Sequence, residues 1–213
     1  MHIVLLGDSI FDNAPYVRRG ETVHHHLQHA LGTSATATLV AVDGETTVGI
    51  RAQLERVPAN ATHLGLNIGG NDALGHVADM AQPAQSVNHA LMLLREIQRE
   101  FARRHDTALQ AVVARGLPVL VCTIYDAVPD LPPHLVTALS LFNDVITRGA
   151  LRYGLDLLDL RELMRDRQDY SPVSPIEPSE IGGRKIAGAV AHWLARQASC
   201  SANASTFGAG PGP

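Results

Sequence analysis

Short apolar runs alternate along the chain with longer stretches whose apolar residues recur every three or four positions. The runs "HIVLL" (2–6), "TLVAV" (38–42), "HLGLNI" (63–68), "PVLVCTI" (118–124) and "LDLLDL" (155–160) have the length and composition of buried strands. Between them, 21–31, 46–56, about 84–115, 134–152 and 179–197 carry apolar residues at helical spacing, as in Leu91, Leu94 and Ile97 or Ile186, Val190 and Leu194. Five apolar strands separated by helices predict an α/β fold, an open parallel sheet covered on both faces. The pattern ends near residue 198. The segment 199–213 is small and Gly/Pro-rich, too poor in apolar groups to offset the entropy of ordering, and is expected to be a disordered tail behind a single domain of 1–198.

Composition narrows the function classes. With 213 residues and 46% hydrophobic content the chain can bury one substantial core. A formal net charge of -4 and no polybasic run argue against nucleic acid and against an acidic membrane surface as partners. Cys122 and Cys200 are far apart in sequence, which indicates neither a disulfide framework nor a structural metal site. The start "MHIVLLGDS" has no basic segment and too short an apolar run for a signal or a span, so a cytoplasmic location is the expectation. Neither G-x-G-x-x-G after a strand nor G-x-x-x-x-G-K-[ST] occurs, so no phosphate cradle of those types is predicted and no cofactor is expected.

In an open parallel sheet, ligands bind where the strands end at their carboxyl side, which directs attention to "GDSI" (7–10), "DGETT" (43–47), "GGND" (69–72) and "TIYDAV" (123–128). Ser9, directly after the Gly7-Asp8 turn, is either an exposed nucleophile or a cap for the next segment of chain. Gly44 lets backbone approach a ligand and aim an N–H at a developing oxyanion, though Asp-Gly is also an ordinary turn pair. Asn71 offers a side-chain amide donor, or a turn residue bonded to its own backbone. One hydroxyl, one free N–H and one amide from successive strand ends are the groups that acyl transfer through a tetrahedral intermediate requires.

In this ordered set the sequence resembles the GDSL-type, or SGNH, ester hydrolases, whose fold is a flavodoxin-like three-layer α/β/α sandwich with a central five-stranded parallel sheet. "GDSI" resembles the nucleophile block, Gly44 in "VDGETT" the glycine block, "GGND" the Gly-x-Asn-Asp block, and "LFNDVITRGALRYGLDLLDLREL" (141–163) with "PSEIGGRKIA" (178–187) the segments around the last block. The resemblance implies a hydrolase of small or short-chain carboxylic esters, with Ser9 as nucleophile and an oxyanion hole from the Ser9 N–H, the Gly44 N–H and the Asn71 side chain. Asp8, Gly70 and Tyr125 are expected to contact the substrate, with Asp126 beside them or acting only as a turn residue.

The last block departs. The family reads Asp-x-x-His-Pro there, and this chain reads Ser174-Pro175-Ile176-Glu177-Pro178. Glu177 therefore stands where the resemblance puts the imidazole, and Ser174 where it puts the orienting aspartate. An ordinary glutamate is about two pKa units below histidine and a feeble base at neutrality, but burial would raise it, and a carboxylate needs no partner to fix a tautomer. The other reading of Glu177 is a charge favoured by the dipole of the helix that Pro178 and Ser179 begin, worth roughly 0.3–1 kcal/mol. A displaced histidine is the alternative base: His76, soon after "GGND", ahead of His134. His25 and His29, one helical turn apart, lack a third ligand and read as a solvated stripe, so no metal is expected. An acyl or carboxylate-binding module that has lost turnover is the competing function. Aromatics at 4% offer no stacking platform, which favours a small substrate.

Overall fold

The computed structural model describes residues 1–206, with side chains through residue 199. All five expected strands form: β1 His2–Gly7, β2 Thr36–Leu39, β3 His63–Asn67, β4 Val119–Cys122 and β5 Asp156–Leu158. They pair in parallel in the order β2-β1-β3-β4-β5. β2 lies earlier than its apolar run, because the ladder with β1 begins at the pair His2–Thr36. β5 is cut short because Asp159 leaves the strand to cap the next helix, accepting the Arg161 N–H.

Strict alternation along β1 divides the core. Ile3 and Leu5 pack with Val23, Leu27, Ile186 and Val190 on one face, and Val4 and Leu6 with Ile50, Leu54, Leu109 and Ile146 on the other. Each such fully buried aliphatic side chain contributes about 1.5–3 kcal/mol of burial. The first face is covered by α1 (Val23–Leu31) and α7 (Glu180–Thr206), the second by α2 (Ile50–Glu55), α4 (Val87–Val113) and α5 (Pro133–Arg152). Two short helices, α3 (Gly70–Leu74) and α6 (Leu160–Leu163), follow β3 and β5 directly. The "GGND" stretch, expected as a loop, is thus the start of α3, too short to show a periodicity.

Hydroxyl caps set three helix starts. Thr22 accepts the His25 N–H, Ser86 the His89 N–H, and Ser179 the N–H groups of Ile181 and Gly182. Pro178 therefore precedes the cap instead of occupying the first helical position as expected, since Ser179 itself holds the non-helical place. α7 continues to Thr206, so the tail expected from 199 is helical at its beginning, and 207–213 lie outside the described residues. Among the described residues no helix is long and apolar enough to cross a membrane.

Candidate active site

β1 ends in a conformation that only glycine tolerates. Gly7 has φ of +129°, and a Cβ there would lie 1.6 Å from the Asn67 carbonyl oxygen of the neighbouring strand. The Gln53 side chain holds both of its backbone groups, accepting the Gly7 N–H at 2.7 Å and donating to the Gly7 carbonyl at 2.7 Å. The chain then turns: the Asp8 carbonyl accepts the Phe11 and Asp12 N–H groups, and Asp8 Oδ1 accepts the Ile10 N–H at 3.2 Å. Ser9 sits on the crest of this turn, and among the described residues its own N–H donates to nothing.

Its hydroxyl does have a partner. Ser9 Oγ donates to Glu177 Oε1 at 3.0 Å, with both side chains buried. Three anchors hold Glu177 there. Its N–H donates to the Ser174 carbonyl at 3.0 Å, its carbonyl accepts the Ser171 N–H at 2.8 Å, and the Tyr125 hydroxyl binds the preceding Ile176 carbonyl at 2.5 Å. Pro178 behind it forms a bridge with Tyr170, whose ring packs edge-on against Tyr125. The acid in the first turn of α7 is Glu180, and Glu177 stands outside that turn, two residues before the Ser179 cap.

Gly44 follows β2 and Asn71 follows β3, the strands on either side of β1, and their loops are tied together. Asn71 Nδ2 donates to the Glu45 carbonyl at 2.9 Å, while buried Asp72 accepts both the Thr47 N–H (2.9 Å) and the Thr47 hydroxyl (2.7 Å). Gly44 takes a left-handed turn, φ +78°, and its N–H is uncommitted among the described residues. The Asn71 amide retains a second N–H beyond the one bonded to Glu45.

A cavity of about 120 Å³ opens beside Ser9. Asp8, Ser9, Gly70, Asn71, Tyr125 and Glu177 all contribute to its wall, so six of the expected site residues meet there. Gly44 is not part of the wall and reaches the site only through its loop's bonds to Asn71 and Asp72. Asp126 also falls outside the wall. The far side is aliphatic, with Val77, Met80, Leu94, Leu131 and Leu139. His76 lines the cavity as well, but its Nδ1 is bonded to Asp79 Oδ2 at 2.8 Å, and no bond joins it to Ser9. His134 is exposed in the first turn of α5, and His25 and His29 are exposed on α1, opposite Val23, Leu27 and Leu31. No group of three metal-binding side chains occurs among the described residues. Cys122 is buried and unpaired at the end of β4.

The electrostatics follow from burial without cations. Desolvation pushes Glu177 from 4.5 up to about 7, against the opposing pull of the Ser9 hydrogen bond and with a push from the charge of Asp43. Burial likewise carries Asp8 from 3.8 up to about 8, opposed by the Ile10 N–H and reinforced by Glu177 and Asp72. A carboxylate near 7 that accepts a serine proton at 3.0 Å is matched to general-base work at neutral pH.

Gln53 and the Thr47–Asp72 pair are not evident from loop motifs. A signal for the first does exist: Gln53 lies three residues after Ile50 and one before Leu54, a polar residue on the apolar face of α2. The Tyr125 hydroxyl bond to Ile176 links the end of β4 to the segment before α7, 51 positions on, and has no local signature.

The sequence profile described as the GDSL-like Lipase/Acylhydrolase family matches residues 5–184. No curated protein sequence matches the chain. Among solved structures, an extracellular lipase from Streptomyces rimosus superposes with a TM-score of 0.66 at 19% identity, over 89% of this chain and 97% of that one. The acetyl xylan esterase AlAXEase gives 0.67 at 17% identity, over 92% and 99%. The psychrotrophic esterase EstA from Pseudoalteromonas sp., determined with monoethylphosphonate as inhibitor, gives 0.62 at 17%, over 91% and 98%. At these identities the likeness is one of fold.

Proposed function

The chain belongs to the GDSL-like lipase/acylhydrolase family, and from that premise we propose that it hydrolyses small carboxylic esters through an acyl-Ser9 intermediate, with Glu177 as the base. The observation that carries the reading is the 3.0 Å hydrogen bond from Ser9 Oγ to Glu177 Oε1 in a buried setting. Ionised Glu177 takes the hydroxyl proton as Ser9 Oγ adds to the ester carbonyl carbon. The oxyanion is met by the Ser9 N–H and the free N–H of the Asn71 amide, while Gly44, outside the cavity wall, acts through its loop, whose Glu45 carbonyl holds the Asn71 amide. Protonated Glu177 then gives its proton to the departing alkoxide, and a water activated the same way releases the acid. Each oxyanion donor of this kind accounts for about 10²–10³ in rate.

The cavity bounds the acyl group. Its volume of about 120 Å³ favours a short acyl group. Its aliphatic far wall favours a hydrocarbon chain over a sugar. His76 is left out of the base role because the Ser9 hydroxyl is bonded to Glu177 and no hydrogen bond joins His76 to it.

The test is a nitrophenyl phosphonate probe read by peptide mass spectrometry, together with hydrolysis of nitrophenyl butyrate. Stoichiometric labelling of Ser9, with activity lost in Ser9→Ala, is expected. An unlabelled Ser9 across the range in which the protein stays folded would overturn the reading. Tight binding of short carboxylates with no turnover would instead select an acyl-binding module.

A further inference from the structure

The apolar wall of the cavity does not end at its mouth. Leu74 and Val77 both line the cavity and are 47% and 43% exposed, so that wall continues onto the outer surface. On α4, Leu94 belongs to the wall, and Leu91 and Val87 stand about one and two turns before it on the same stripe, 59% and 78% exposed. Five of the twelve exposed large apolar residues among those described fall within 74–92, which makes one face of them where scattered ones would need no explanation. This part of α4 adds nothing to the core: no residue of 87–100 is buried, and Phe101 is the first that is. Nor is it rich in charge. Residues 80–94 contain no Asp, Glu, Lys or Arg in a chain that is 18% charged, and neither do 131–143, which bring Leu135 and Leu139 of α5 to the same wall. A helix facing water carries charges on its outer side; the start of α4 is suited to leaving water.

Two observations choose the occupant. A protein seated over Leu74 and Val77 would close the cavity against the ester, whereas a phase made of esters delivers substrate to it. The absence of Lys and Arg from 80–94, with a net charge of -4, selects an uncharged phase over anionic lipid heads. We propose that this face seats on the surface of a neutral, water-insoluble ester phase, glycerides of short acids being the class, and that the acyl group passes into the cavity directly from it. The hydrolysis rests on the reading of Ser9 as nucleophile; the seating does not need turnover.

Seating and turnover are read separately. Flotation with tributyrin droplets is measured for Ser9→Ala and for Ser9→Ala carrying Val87→Gln and Leu91→Gln, both exposed positions outside the cavity wall. The first is expected to float, and the two glutamines to lower its partition at least about tenfold. In wild type, the rate on tributyrin should climb steeply once droplets form. Val87→Gln with Leu91→Gln should saturate without that break and hydrolyse soluble nitrophenyl acetate as wild type does. No flotation, flotation unaffected by the glutamines, or an active wild type whose rate shows no break overturns the proposal. So does equal binding to phosphatidylglycerol vesicles, or a dimer in light scattering that the two glutamines dissociate, which would give the face to a second copy of the chain. Flotation with neither cleavage of nitrophenyl acetate nor phosphonate labelling of Ser9 removes the esterase reading and leaves the seating; cleavage without flotation removes the seating alone.

Discussion

Ser9 Oγ and Glu177 Oε1 stand 3.0 Å apart although 168 positions separate them in the chain. What closes that distance is the sheet order. β1 lies next to β3 with β4 beyond it, so the ends of β1, β3 and β4 open on one edge, and the Tyr125 hydroxyl at the end of β4 fastens the segment before α7 across it. Replacing Glu177 by glutamine keeps the shape and removes the base. Ester hydrolysis by Glu177→Gln is expected to fall by about 10²–10⁴-fold with KM little changed, in a steady-state assay. Activity within a few-fold of wild type would assign the proton to another group.

The same burial gives activity an acid limb. Glu177 must be ionised to act, and burial holds it at about 7, so kcat/KM of the wild type should drop tenfold for each pH unit well below that value. A pH profile flat down to the ordinary glutamate range near 4.5 would show that the acting group is not this buried carboxyl.

Much of this site is legible in the chain because its parts lie at strand ends. Ser9, Gly44 and Asn71 each follow an apolar run by a few residues, and period and turn chemistry locate such positions without tertiary knowledge. Glu177 is legible only as a departure from a pattern, and its two readings differ in burial, which no local window fixes. The placement of Gln53 against Gly7 and of Thr47 against Asp72 depends on which loops become neighbours. α3 and α6, of five and four residues, are too short for helical spacing to register. Pro178 falls ahead of the place that helix-start chemistry suggests because Ser179, held at both ends by Gln168 and by α7, takes the cap.

The carboxyls that equip the site also weaken the fold. Glu177 titrates at about 7 and Asp8 at about 8 in the folded chain, against 4.5 and 3.8 as ordinary side chains. A raised carboxyl favours the fold while it is protonated. The stability it contributes is complete below about pH 4 and is lost as pH rises through the folded values. Glu177→Gln should therefore melt higher than wild type at pH 8, by several degrees at about 2–4 °C per kcal/mol, and close to it at pH 4. Calorimetry at the two pH values checks this, and a difference independent of pH would contradict the burial argument.

Gln53 offers a prediction about positioning. Its amide satisfies both the N–H and the carbonyl of Gly7, two residues before the nucleophile, and it is 1% exposed. Gln53→Leu fits the apolar surroundings of Ile50 and Leu54 but leaves two buried backbone groups unpaired, at about 1–3 kcal/mol each. Thermal melts should show that loss, and kcat should fall while KM holds, because the turn carrying Ser9 loosens before the cavity changes. A variant as stable and active as wild type would show that β1 and β3 fix the turn unaided.

His105 acts on stability with the opposite sign. It is buried on α4 against Phe101 and Gly149, its Nε2 has no partner, and desolvation lowers it from 6.5 to about 4. The folded chain therefore binds this proton more weakly than the unfolded chain does. The neutral ring's contribution is complete above about pH 6.5 and is lost as pH falls towards 4, on the order of 3 kcal/mol in all. Across that window Glu177 and Asp8 gain stability on acidification while His105 loses it, so wild-type stability should rise as pH falls with about half the slope that the two carboxyls alone would give. His105→Leu removes only the opposing slope. Its stability should rise steadily as pH drops from 6.5 to about 4, in urea titrations at each pH, and a slope matching wild type would show that His105 titrates normally.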